Sequence, residues 1–347
     1  MRARAPRPVR VWLWVVFASI LVMTLIGGTT RLTGSGLSMV VWHPLMGAIP
    51  PLNEAEWHRV FDLYKATPQY LHVNDWMALA DFKRIFFWEY LHRLFGRMIG
   101  LVVLVPWVWF VARRQLSGAV ALRTLALIGL GGAQGLLGWY MVQSGLVDVP
   151  RVSHFRLAAH LSLAFVCAQY AAWLAFDLAP APQGRPPRWI GHGALALLAG
   201  LCIQIVYGAF TAGLRAGHYA STFPDINGHW LPGALLAGQG WAEALLHGVG
   251  IIHYTHRALG LVVLLGALGL GGAAMRSGGE ALRAPAVLLM ALVATQFTLG
   301  AATVMLHVPT SLAVAHQGVA LLLLTALTWL LHRCFRSAPS DGGAQPT

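Results

Sequence analysis

Four histidines, His92, His160, His256 and His316, sit inside runs of apolar residues long enough to be membrane spans. An ionisable side chain in such a run is costly and marks a functional site by default. The alternative is a histidine hydrogen-bonded between helices as structural glue. They come as two pairs, one in each half of the chain, and that duplication favours function over glue. Two imidazoles facing each other across a helix bundle can supply both axial ligands of a haem, with the macrocycle filling the space between the helices. Glycines near them, Gly96, Gly100, Gly132, Gly135, Gly138, Gly260, Gly266 and Gly300, would let backbones approach a flat macrocycle or simply pack helices closely. Zinc is disfavoured by the lack of an HExxH or three-histidine constellation and the scarcity of carboxylates at that depth.

One acidic residue stands beside this set. WEYLHRLFG at 88–96 carries Glu89 one helical turn before His92, where IHYTHRALG at 252–260 has His253 before His256. A carboxylate near a cofactor can act as a base, orient water or stabilise a cationic intermediate. It can also be an interfacial group bonded to a loop, or compensate a helix N-terminus. If chemistry is confined to one half, Glu89 marks that half.

The elements that must position these residues are helices. The chain of 347 residues is 57% hydrophobic and 10% charged, against about 25% charged in soluble domains. Apolar runs of about 20 residues begin near Trp12, Trp88, Leu122, Val152, Ile190, Ala244, Ala286 and Thr310. The expectation is an all-α, polytopic membrane protein of eight transmembrane helices. Long polar loops run from Arg31 to Phe87 and from Arg215 to Glu243. His92 and His256 would lie about one turn into their spans, and His160 and His316 about two. His154 is unassigned, and the other histidines, His332 among them, fit loops or span ends. The basic, apolar N-terminus lacks an A-x-A-like site and reads as a retained first span.

The formal charge of +12 is a topology signal. Arg2, Arg4, Arg7, Arg10, Arg113, Arg114, Arg123, Arg185, Arg188, Arg276, Arg283, Arg333 and Arg336 fall on one side with both termini, which is therefore cytoplasmic. Nine of the twelve acidic residues, Asp148 among them, lie on the other side or at its edge, so nucleic acid is not an expected partner. Cys167, Cys202 and Cys334 lie in or at the end of apolar runs without a CxxC, arguing against disulfides and cysteine-ligated metal.

The halves repeat. His92 and His256 share H-R-x-x-G, Gln134 and Gln296 share Q-x-x-x-G, and AAH ends at His160 as VAH ends at His316. The economical reading is two tandem four-helix bundles, 1–180 and 181–347, in parallel orientation.

Together these residues resemble the haem A synthases of bacteria and mitochondria across all eight spans. The likeness is carried by TTRLTGSGLSMVVWHPLMGAIPP after the first span, EYLHRLFGR, QIVYGAFTAGLRAGHYASTFPDINGHW and HYTHRALG. It implies an oxidoreductase of the bacterial inner membrane that converts haem O to haem A for terminal oxidases, oxidising the C8 methyl group to a formyl group. The resemblance implies haem O between His92 and His160, a resident haem b between His256 and His316, and Glu89 as the catalytic glutamate. It also implies a haem O synthase and cytochrome oxidase assembly factors as partners, with an unidentified electron partner. The first loop lacks the cysteine pair of many bacterial members and resembles the cysteine-free branch. The competing class is a di-haem b, quinol-linked electron-transfer protein; a haem or solute transporter is disfavoured by the parallel repeat.

Overall fold

The computed structural model describes residues 7–41, 46–116, 118–147, 149–180, 186–236, 238–277 and 279–336. Arg2, Arg4, His43, Asp148 and Arg185, which entered the topology and histidine readings, lie outside these residues. Ten α-helices follow in order among the described residues: α1 Arg7–Leu32, α2 Glu54–Lys65, α3 Leu79–Ala112, α4 Gly118–Gln143, α5 His154–Asp177, α6 Arg188–Gly213, α7 Trp241–His247, α8 Val249–Ser277, α9 Glu280–Met305 and α10 Thr310–Arg336. All but α2 and α7 are long and apolar enough to cross a membrane, giving the eight spans expected. No strand forms among the described residues; an isolated bridge pairs Ile226 with His229.

Several starts differ from the apolar runs by five residues or more, α1 and α9 among them, and two of the differences have a physical reason. Ala244 lies within the short α7, which Gly248 ends in an extended conformation before the span resumes at Val249. More consequentially, α3 begins at Leu79, about two and a half turns before Trp88. Hydropathy marks where a helix turns apolar all round, whereas these added turns are amphipathic and bury one face against α2. Phe82, Ile85 and Phe86 pack on Phe61 and Tyr64 of α2, with Phe61 and Phe82 stacked at 5.0 Å and Trp57 edge-on to Phe86 at 5.0 Å. His92 is therefore well inside its helix rather than one turn from its start.

The segment between α1 and α3 is thus a folded cap. Asn53 caps α2 by accepting from the Glu56 amide at 2.9 Å, and the Glu56 carboxylate accepts from Leu52 N–H at 3.0 Å, a reciprocal cap. The Tyr64 hydroxyl donates to Gln69 at 3.1 Å and accepts from Asn74 at 2.7 Å, while Gln69 donates to the Gly34 carbonyl at 2.9 Å. Burial pushes the Tyr64 phenol above its ordinary pKa.

The chain forms two compact units. One holds Val15–Ala168 with Ala212–Leu214; the other holds Gln169–Thr211 and the described residues from Arg215 onward, with the start of α1. In the second unit α9 packs against both α8 and α10, and the end of α5 docks on α10. There His332, which had been placed at a span end, is buried at 5% exposure and meets Asp177 at 2.9 Å, with Arg336 at 3.4 Å from the same carboxylate. Trp173 stands edge-on to His332 at 4.9 Å, and Phe176 lies parallel to Trp329 at 6.1 Å. A carboxylate inside apolar packing stabilises only with its partners in place. Asp177→Ala should cost about 3 kcal/mol, read as a lower thermal midpoint in detergent; an unchanged midpoint would show that the pair holds nothing.

Candidate haem-binding and catalytic site

All four expected histidines lie on spans: His92 on α3, His160 on α5, His256 on α8 and His316 on α10. The His256 and His316 rings are 6.4 Å apart between centroids and near perpendicular, at 86°. With metal–nitrogen bonds of about 2 Å, two imidazoles on opposite sides of one iron place their ring centroids about 6 Å apart. The separation of these two rings matches that spacing. His92 and His160 lie close enough to interact electrostatically. Among the described residues no cluster of three or more His, Cys, Asp or Glu could hold a metal ion.

Each histidine is seated over a glycine of a neighbouring helix. A Cβ on Gly27 of α1 would stand 3.1 Å from His92; on Gly138 of α4, 2.9 Å from His160; on Gly208 of α6, 3.0 Å from His256; on Gly300 of α9, 2.9 Å from His316. Any larger residue would have to displace the ring. Of the glycines noted in the sequence, Gly138 and Gly300 serve this way, Gly96 and Gly260 face Met23 and Gln204, and Gly266 faces Leu197. Gly100, Gly132 and Gly135 have no such neighbour within 4 Å.

Four residues before each of three of these glycines, on the same helix face, stands a glutamine. Gln134 donates to the His160 carbonyl at 3.0 Å, Gln204 donates to the His256 carbonyl at 2.9 Å, and the Gln296 amide nitrogen lies 3.3 Å from His316 Nε2. The His316 Nδ1 meets the Gln296 carbonyl at 3.1 Å, a contact that fixes ring orientation when Nδ1 carries the proton. The shared Q-x-x-x-G of Gln134 and Gln296 was visible in the sequence as a repeat; Gln204 has the same spacing to Gly208, but no glutamine in the first half repeats it. Before Gly27 the same place holds Met23.

Glu89 is 3% exposed, and every contact on it is a donor. Ser38 Oγ and the Met39 amide each donate to Oε2 at 2.8 Å, and Arg93 donates to Oε1 through Nε at 3.1 Å and Nη2 at 2.6 Å. The helix-terminus reading of Glu89 fails, since α3 begins ten residues earlier; the loop-bonded reading is what the structure holds. The corresponding His253 is 1% exposed and accepts at Nε2 from Arg257 Nε at 3.1 Å.

The arginine after each histidine motif was shared in the sequence but carried no role. Arg93 donates to the carbonyls of Met39 at 2.7 Å and Val41 at 3.2 Å; Arg257 donates to those of Ala220 at 3.3 Å, Thr222 at 2.8 Å and Asp225 at 2.7 Å. Both guanidinium forks pin a loop to a histidine helix. His154, the first residue of α5, is buried with its Cβ against Gly213.

A family model for cytochrome oxidase assembly proteins matches residues 10–328. The chain belongs to that family. It is 45% identical to a haem A synthase of Rhodospirillum centenum, over 95% of this chain and 89% of the relative. It is 40% identical to one of Nitrosospira multiformis, over 95% and 94%, and 41% identical to one of Sphingopyxis alaskensis, over 96% and 94%.

The loop clamp is testable without substrate. Arg257→Ala removes three charge-assisted bonds and should cost the loop about 2 kcal/mol or more, seen as faster hydrogen exchange and proteolysis across residues 219–229. Unchanged protection there would refute the clamp.

Proposed function

We propose that this protein is a haem A synthase: an integral membrane oxidoreductase that takes haem O and oxidises its C8 methyl group to a formyl group. The supporting observation is a duplicated histidine frame of which one copy, the first, adds a carboxylate. In this reading the N-terminal half, 1–180, receives haem O between His92 and His160, and the C-terminal half, 181–347, holds haem b between His256 and His316. Bound there, haem b supplies one-electron transfer, since two imidazoles leave no open position for a further ligand.

The chain's own contributions follow from its contacts. His256 and His316 are already spaced for an iron, with Gln204 and Gln296 fixing backbone and ring. Glu89 belongs to the substrate half as an anchored acceptor. Ser38, Met39 and Arg93 fix its position, so it need not reorganise as positive charge develops at the carbon being oxidised. The cap of α2 and the first turns of α3 packs above that carboxylate and limits water. Reaction at one half and electron transfer at the other accounts for keeping His253 where the first copy has Glu89.

The arginines gathered at the span ends around both termini support a bacterial inner-membrane protein with cytoplasmic termini. Haem O would come from a haem O synthase, and the product would pass to cytochrome oxidase assembly factors.

Expression with and without a haem O synthase, followed by chromatography of extracted haems, tests the reaction. Haem A or its hydroxylated precursor should appear when haem O is supplied; haem b alone would instead point to an electron carrier. Glu89→Gln should retain both haems and lose conversion by about 10² to 10⁴-fold. Undiminished conversion would remove Glu89 from the reaction.

A further inference from the structure

The four histidine seats are not equivalent. At His160, His256 and His316 the ring atom nearest the glycine is Cε1, at 2.9 to 3.0 Å from the Cβ position, with Nδ1 at 3.5 to 3.6 Å and Nε2 beyond it at 3.6 to 3.8 Å. At His92 the order is reversed. Nε2 itself is nearest, 3.1 Å from the Cβ position of Gly27, with Cδ2 at 3.4 Å. Three rings share one edge toward the glycine, and the fourth presents the Nε2–Cδ2 edge, the flipped orientation of the ring.

The braces differ at the same place. Gly260 faces Gln204 Nε2 at 3.2 Å, whereas Gly96, in the same position after His92, faces Met23 Cε at 3.3 Å. Gln204 uses that nitrogen to hold the His256 carbonyl. A thioether has no hydrogen to donate, so Met23 leaves the α3 backbone at His92 without the cross-helix tie that His160 and His256 receive. Substituting methionine for a hydrogen-bonding amide also replaces a directional contact with an adaptable one.

We infer that His92 is the exchangeable ligand of the substrate pair, that His160 is the fixed one, and that Met23 sets this difference. The inference rests on the haem O reading of the first half. Release of His92 frees a coordination position on the α3 side of the substrate iron, the side that carries Glu89, one turn away on the same helix face. A small neutral ligand can then enter there, while His160, seated over Gly138 and tied to Gln134, retains the substrate. The two halves thus use the same frame for opposite ends: a closed pair at His256 and His316, and a pair with one hinged member at His92 and His160.

The test uses full-length protein in detergent, loaded anaerobically with haem O, reduced and exposed to carbon monoxide. Haem content is measured on the same samples. His92→Ala should keep haem O and bind carbon monoxide readily, whereas His160→Ala should lose haem O. Met23→Gln, which supplies the missing donor, should weaken carbon monoxide binding about ten-fold and slow conversion. Met23→Leu, which supplies none, should bind as the unaltered protein does. An unchanged haem b spectrum reports intact folding in each. Loss of haem O from His92→Ala but not His160→Ala would overturn the inference, as would carbon monoxide binding indifferent to Met23→Gln. Haem O content indifferent to both histidine substitutions would instead sink the substrate-site reading on which the inference stands.

Discussion

A neutral imidazole placed in an apolar helix has to be given partners, because hydrocarbon offers none. At three of the four histidines, His160, His256 and His316, the protein uses one small device. A histidine on one span lies over a glycine on the next, and a residue one turn before that glycine reaches across to the histidine's own backbone or ring. The glycine permits close approach, and the glutamine fixes the register of two helices that otherwise slide on greasy surfaces. Both elements are local to a helix pair, so each half can carry two copies.

In the proposed reading, the second half adds precision and the first adds reactivity. His256 and His316 face each other at a separation suited to one iron, while the buried His253 and Arg257 tie the loop above them. In the first half the equivalent arginine also holds a carboxylate, and the loop it clamps donates two further bonds to that carboxylate. Glu89 is therefore at once the floor of the loop and the charged group of the site. Disturbing the loop and disturbing the carboxylate amount to one change.

Much of this was legible in the residues themselves. Histidines in apolar runs, the repeated H-R-x-x-G and the departure of Glu89 from His253 all signal through type and spacing, because burying such groups is expensive enough to be deliberate. The beginning of α3 was not legible: Phe82, Ile85 and Phe86 read as a polar loop's edge until α2 folds against them. Gln204 was hidden because the matching position in the first half holds Met23, so no repeat marked it. The burial of His332 was not legible, because its partner, Asp177, lies 155 residues away and nothing local announces the pair. The arginines were seen as repeated but mute, since a guanidinium that binds backbone carbonyls leaves no mark on the residues it binds.

The length of α3 has a mechanical meaning. One uninterrupted helix of 34 residues carries the aromatic face that grips α2, then Glu89 and His92, and continues through the span. Such a helix is about 51 Å long, and the aromatic face, the carboxylate and the imidazole all ride on it. The cap is therefore a handle as well as a lid, joined to Glu89 and His92 by one helix with no break between them.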